Sequence, residues 1–245
     1  MRKKLCFALI AALVLFSANA FADTVGGSDF GDWQTTAWTA GTGSAYWNGN
    51  TSSDGLGTGI GYYLTNTGVY DGGSGPGVLP FWGNAGGTAD IFGFFWDGGS
   101  STAALKLEVA GYSGSNVFGY EELGYWNTAK TVYTPGTNTV LFDGSATQGA
   151  SAVFTPTTDY VFFLTSSEGT FYTDMFLDDS TYQHFALFKQ SEGVYWLGME
   201  DLKTGSDMDY NDMIVKISRV PEPTTMLLLG LGLVGLAGMS RRFKR

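Results

Sequence analysis

Residues 182–218 read YQHFALFKQSEGVYWLGMEDLKTGSDMDYNDMIVKIS, and this stretch decides the fold. Three runs, Tyr182 to Lys189, Val194 to Met199 and Met213 to Ser218, are dominated by aromatic and branched aliphatic residues. Each is too short for an ordinary helix, and turn-forming Gly, Ser, Asp and Asn separate them. Those features predict successive β-strands. Working outward, Tyr160 to Thr165 reads the same way, and Ile91 to Trp96 and Asn116 to Glu121 add two more strands. Ala104 to Ala110 alternates, which sets Leu105, Leu107 and Val109 on one face and Lys106 and Glu108 on the other. No window longer than ten residues has a helical apolar period outside the two chain ends. The expected fold is all-β, an antiparallel β-sandwich of jelly-roll type. Thr39 to Gly59 and Thr65 to Gly77, rich in Gly, Ser and Thr, read as long loops or a weakly structured approach to the sandwich. No internal repeat and no second domain is visible.

The ends are of another kind. Arg2, Lys3 and Lys4 precede an apolar stretch from Leu5 to Phe16 and a small-x-small site, Ala20-Phe21-Ala22. This is the pattern of a secretory signal peptide over residues 1–22, cleaved by signal peptidase after Ala22 or, alternatively, after Ala20. The single cysteine, Cys6, lies inside it, so the exported part is expected to carry no disulfide and no thiol ligand. Residues 23–219 hold 22 Asp and Glu against 6 Lys and Arg, a net charge of −16. Such a surface repels nucleic acid and anionic lipid and attracts cations such as calcium.

At the other end, Pro221-Glu222-Pro223 precedes an apolar run from Met226 to Met239 and a basic cluster, Arg241, Arg242, Lys244 and Arg245. The prolines break strand and helix and keep the joint extended. The run is shorter than the roughly 20 residues of a permanent membrane span, while the terminal cations favour the cytoplasmic side. This order of parts resembles the PEP-CTERM sorting segment of Gram-negative bacteria. The resemblance covers residues 220–245 and implies a short hydrophobic sorting helix, transient membrane anchoring and removal by an exosortase. The destination it implies is the cell surface or extracellular matrix.

Chemistry concentrates between the last two predicted strands. Glu200, Asp201, Asp207, Asp209, Asn211 and Asp212 place six oxygen-bearing side chains within thirteen residues. So many carboxylates repel one another unless a cation screens them, and calcium accepts six to eight hard oxygen ligands in flexible geometry. The loop departs from an EF-hand because strands flank it and no glutamate stands at its twelfth position. The simpler reading is a solvated acidic turn whose Asp and Asn side chains cap the backbone. The pattern Glu-Asp, a Gly-containing turn and Asp-x-Asp-Tyr-Asn-Asp before an apolar strand resembles an uncharacterised domain of exported bacterial proteins that often precedes such a sorting tag. The match covers about residues 182–218. It implies that Glu200, Asp201, Asp209, Asn211 and Asp212 face a calcium ion, with Asp207 in the turn.

Other candidates carry less. His184 is the one histidine and falls within an apolar strand pattern, which fits packing better than base catalysis. Glu121-Glu122 and Asp178-Asp179 are adjacent pairs that point to opposite faces of a strand, unlike a glycosidase pair. Gly230, Gly232 and Gly235 match a dinucleotide fingerprint inside the membrane anchor, without the strand and helix that such a site needs. Trp96 and Trp196 read as core. Trp33, Trp38, Trp47 and Trp82, in Gly-rich surroundings, either pin loops onto the sandwich or offer flat faces to sugar rings. The expectation is a non-enzymatic, calcium-stabilised surface or matrix protein, structural or adhesive in an exopolysaccharide or biofilm setting. The alternatives are a carbohydrate-binding module and an acidic glycan-processing enzyme.

Overall fold

Aromatic and β-branched runs close into strands wherever Gly, Ser or Asp interrupts them, and the interruptions are closely spaced along this chain. The computed structural model describes residues 23–27, 31–49, 53–96, 98–109, 113–123, 136–174, 177, 182–220 and 230–232. Its strands are β1 (Thr24–Gly27), β2 (Asp32–Gln34), β3 (Phe81–Gly83), β4 (Phe92–Phe95), β5 (Ser101–Glu108) and β6 (Val117–Glu122). They continue with β7 (Asn138–Phe142), β8 (Ser151–Phe154), β9 (Tyr160–Ser166), β10 (Gly169–Tyr172), β11 (Phe185–Ser191), β12 (Val194–Met199) and β13 (Met213–Arg219). A short helix, α1 (Ile60–Thr65), lies between β2 and β3. The compact unit spans Ala22–Arg219.

The strands form two antiparallel sheets. One runs β1-β4-β9-β6-β7, with β10 also paired to β9; the other runs β2-β3-β11-β12-β13-β5-β8. Phe94, Phe118, Phe162 and Leu164 of the first sheet share one buried core with Leu105, Phe185, Leu197 and Val215 of the second. The all-β sandwich expected from the sequence is therefore the observed architecture. Its centre is the meander β11-β12-β13, whose register pairs Phe185 with Met199 and Met199 with Met213.

The centre of the second sheet, along β12 and the adjoining halves of β11 and β13, is buried on both faces. Along β12, Tyr195, Leu197 and Met199 enter the core between the sheets, while Trp196 points to the opposite side. Ile214 does the same between Met213 and Val215. This double burial explains why these strands read as nearly continuous apolar runs. The outer cover consists of Trp38, Trp47, Ile60, Tyr63, Leu64 and Leu79, packed on Ala186, Phe188, Trp196 and Ile214. The Gly-rich segment before β3 is thus an outer layer, held by side chains too widely spaced to announce a strand or helix. Trp38 Nε1 donates to the Leu79 carbonyl at 2.8 Å, and Trp82 Nε1 to that of Ile91 at 3.2 Å. Trp38, Trp47 and Trp82 are buried, and Trp33 stacks on Tyr195, so these four act as packing anchors.

One expectation needs correction. Leu105, Leu107 and Val109 do not share a face. The pairing of β13 with β5 slips between Ile214, opposite Leu107, and Val215, opposite Leu105. Lys106 is the extra residue of a β-bulge, and a one-residue slip reverses the faces beyond it. Leu107 consequently packs in the outer layer with Ile214, and Val109 is exposed. Glu108 stands opposite Met213, whose side chain faces the core between the sheets.

The signal segment with Ala20 and Ala22, Pro221-Glu222-Pro223 and Asp178-Asp179 lie outside the described residues. Of the C-terminal apolar run, Gly230–Gly232 is described and helical. Among the described residues, no helix is long and apolar enough to cross a membrane.

Candidate metal centre

Period-two alternation aims the adjacent acids Glu200 and Asp201 apart as the chain leaves β12. Glu200 continues the outward side of Trp196 and meets the outer layer. Its Oε1 accepts the Tyr210 N–H at 2.5 Å, and its Oε2 accepts the Ser206 hydroxyl. Asp201 continues the side of Met199 and reaches toward the first sheet. There its Oδ2 accepts Asn116 Nδ2 at 3.0 Å, and its carbonyl accepts the Ser166 hydroxyl at 2.6 Å.

The loop that follows must curl back on Glu200. Met208 and Tyr210 both adopt left-handed backbone angles, with φ of 57° and 56°. That conformation is uncommon outside glycine and collects at functional sites. The two turns close Asp207 and Asp209 onto Glu200, so that oxygens of all three carboxylates lie within 4.8 Å of one another. Ligands about 2.3–2.6 Å from a calcium ion stand no more than roughly 5 Å apart, so one ion fits among them. Asn211 adjoins the group. Its Nδ2 donates to Asp209 Oδ2 at 2.8 Å and to the Thr58 carbonyl at 2.9 Å, while its Oδ1 is buried without a partner.

Residues 53–60 are clipped to this loop. The Ser53 N–H and the Thr58 hydroxyl donate to Asp207 and Asp209 respectively, and the Ile60 N–H donates to the Asp209 carbonyl at 2.7 Å. Gly198 makes the approach possible, because a Cβ there would stand 2.2 Å from Ile60 Cδ1 and 2.5 Å from the Tyr210 carbonyl. The acidic loop therefore joins the outer layer to the second sheet. Tyr46, Ser53, Ser206, Asp207 and Met208 also line an open depression of about 530 Å³, a route from solvent to Asp207.

Burial makes negative charge costly here. It pushes the Glu200 carboxyl up to about 8, against the two hydrogen bonds it accepts and with Asp209 and Asp207 adding to the rise. Asp212 is also raised well above the carboxylate range, by burial first and then by Glu200 and Asp201. Its Oδ2 accepts the Asp201 N–H at 2.8 Å. Among the described residues, no basic side chain makes an ion pair with Glu200, Asp201 or Asp212; the ion pair found joins Lys189 and Glu192. A divalent cation would relieve this repulsion and displace the protons.

Of the six residues singled out in the sequence, Glu200, Asp207 and Asp209 converge, and Asn211 borders them. The Asp201 carboxylate turns instead to Asn116, and Asp212 accepts the Asp201 backbone N–H while feeling the charge of Glu200 first and Asp201 next. Sequence reading missed Ser53, Thr58 and Ser206, which are ordinary polar residues whose role appears only when the outer layer folds over. It also missed Glu108, whose carboxyl is raised to about 7 by burial and then by Asp201, and the fully buried Asn116. The bulge in β5 hid the first, and nothing near the second marks it.

Among the other candidates, His184 is fully buried, with its ring stacked on Phe171 at 3.6 Å and its Nδ1 3.1 Å from the Glu200 carbonyl oxygen. Glu121 Oε1 accepts the Gly136 N–H and Glu122 Oε1 the Thr157 N–H. The two glutamates serve separate loops.

Two family models match the chain. A domain of unknown function (DUF4114) matches residues 129–219, a span from β7 to β13 that includes all six candidate ligands. The PEP-CTERM protein-sorting motif matches residues 219–242. The second similarity implies an exported protein processed by an exosortase. No curated protein and no solved structure matches the chain.

Proposed function

We propose that this chain is an exported, non-enzymatic β-sandwich protein of the cell surface or extracellular matrix, stabilised by calcium and structural or adhesive in an exopolysaccharide or biofilm setting. One observation carries the reading: Glu200, Asp207 and Asp209 converge beside the unpartnered buried oxygen of Asn211. The donors are all hard oxygens, and the loop holding them is irregular, which suits calcium better than an ion that demands ideal octahedral geometry. The site sits where a separate chain segment is clipped to the sheet, so an ion there stabilises the fold. The buried, stacked His184 supports a non-enzymatic role, since a base must reach its substrate. The sorting-motif similarity supports export and handling by exosortase and signal peptidase, and an acidic, sugar-rich matrix is a setting where calcium is a natural bridge.

Calorimetric titration of the full chain in detergent tests the reading. Calcium should bind with release of protons at neutral pH, and Glu200→Gln should weaken binding at least tenfold. Absence of calcium uptake overturns the calcium assignment. Release of reducing ends from the host's exopolysaccharide by the purified protein overturns the non-enzymatic assignment.

A further inference from the structure

The outer layer covers only part of the second sheet. Along β5, β8 and β13, Ala103, Phe154 and Ile217 enter the core between the sheets, so the residues alternating with them point outward. Register sets Val153 opposite Thr102, Thr102 opposite Ser218 and Ser218 opposite Val194, one outward row across β8, β5, β13 and β12. The next row sets Ser151 opposite Ala104 and Ala104 opposite Lys216, and ends at the covered Trp196. Small side chains keep this face flat, and with strands roughly 4.8 Å apart it is about 14 Å wide.

Its charge opposes that of the whole. Residues 23–219 carry a net charge of −16, yet these two rows contain no acid, and Lys106 and Lys216 are two of the six cations. Lys216 Nζ is held 5.3 Å over the Trp196 ring. Burial, and then the like charge of Lys106, lowers the Lys216 amine. Among the described residues neither lysine makes an ion pair, and Glu192, at the turn before Val194, is taken by Lys189. Like charges set side by side oppose folding, and an anion from outside relieves them. A second copy of this chain, stacked here by two-fold symmetry, would set lysine against lysine. The hydroxyls of Thr102, Ser151 and Ser218 lie beside the ammonium groups on an open face, which fits an extended polymer bearing both hydroxyls and carboxylates.

We propose that this outer face, from β8 to β12, binds an acidic polysaccharide, a chain of carboxylated sugars whose carboxylates pair with Lys106 and Lys216. The inference rests on the exopolysaccharide setting proposed above, but on none of the calcium ligands. The acidic remainder of the surface repels the same polymer and confines contact to this face.

Titration calorimetry of the full chain in detergent, at low salt and in EGTA, tests the assignment with polygalacturonate as the probe. The parent should bind it and leave neutral dextran unbound, and Lys216→Gln should weaken binding about tenfold. Lys203→Gln, an equal loss of charge away from this face, should stay within about twofold. The terminal basic clusters are common to every variant, so the ratio reports the face alone. No binding by the parent, equal binding of dextran, or equal affinity in Lys216→Gln and Lys203→Gln overturns the proposal. Tighter binding of phosphatidylglycerol vesicles, with the same dependence on Lys216, assigns the face to lipid and also overturns it. Should Lys216→Gln fail to fold, Ala104→Glu decides: it gives Lys216 a partner within the sheet, and undiminished binding overturns the proposal. In EGTA the calcium ligands play no part, so failure here leaves the calcium reading standing.

Discussion

Removing calcium should lower the melting temperature, and Asp209→Asn should erase most of that difference. Asp209 is the link between ion and fold. Its carboxylate accepts the Thr58 hydroxyl at 3.1 Å and both nitrogens of Asn211, at 3.2 Å from the backbone and 2.8 Å from the side chain. Its carbonyl holds the first residue of α1. An ion that binds only the folded state stabilises it by about 2.7 kcal/mol at a hundredfold excess over its dissociation constant. For a domain of about 200 residues, each kcal/mol moves the midpoint by roughly 2–4 °C, so chelation should cost about 5–11 °C. Asparagine keeps the shape of Asp209 and removes its charge, and Asn211 can flip to give its unpartnered oxygen a donor. The apo variant should therefore melt no lower than the apo parent, while gaining little from calcium. Differential scanning calorimetry of the full chain in detergent, with EGTA or with excess calcium, measures all four states. Magnesium should restore less than half of the loss, since it gives up water reluctantly. Equal midpoints with and without chelator, or an undiminished gap in Asp209→Asn, would reduce the cluster to a solvated acidic turn.

Three further outcomes are expected. Gly198→Ala forces a methyl group against Ile60 and the Tyr210 carbonyl, so urea unfolding should show a loss of about 1–3 kcal/mol together with weaker calcium binding. Burial holds the His184 imidazole down at about 4, below its unfolded value of about 6.5. The neutral ring thus contributes stability above about pH 6.5 that is lost as pH falls toward 4, and urea melts of His184→Gln should show a shallower acid decline over that window. Intact mass measurement of the surface form, in cells with an exosortase, should find a chain starting at Asp23 or Phe21 and ending near Pro221; recovery with Phe243 attached would count against processing.

The candidate site was half legible. The spacing of Asp207, Asp209 and Asn211 after the Glu-Asp pair drew attention to the right loop, because charge repulsion is a property of composition and needs no coordinates. The division of labour within it was not legible. Glu200 and Asp201 are neighbours in sequence and part company only because a pleated strand aims them at different layers. Asp201 then gains Asn116 and Ser166, residues 85 and 35 positions away. Loop closure of that length leaves no local mark.

Local chemistry by itself determined the strands of the meander, the all-β class and the acidic loop, along with the targeting pattern of the two ends. These depend on side-chain volume, branching, charge and alternation over a few residues. The tertiary structure alone decided that Trp38, Trp47 and Ile60 form a third layer, since their burial depends on the outer face of a sheet assembled from strands far along the chain. It alone decided the face of Glu108, because a single extra residue in β5 inverts the alternation and is visible only against the register of β13. Periodicity can be read along one strand, but register belongs to a pair.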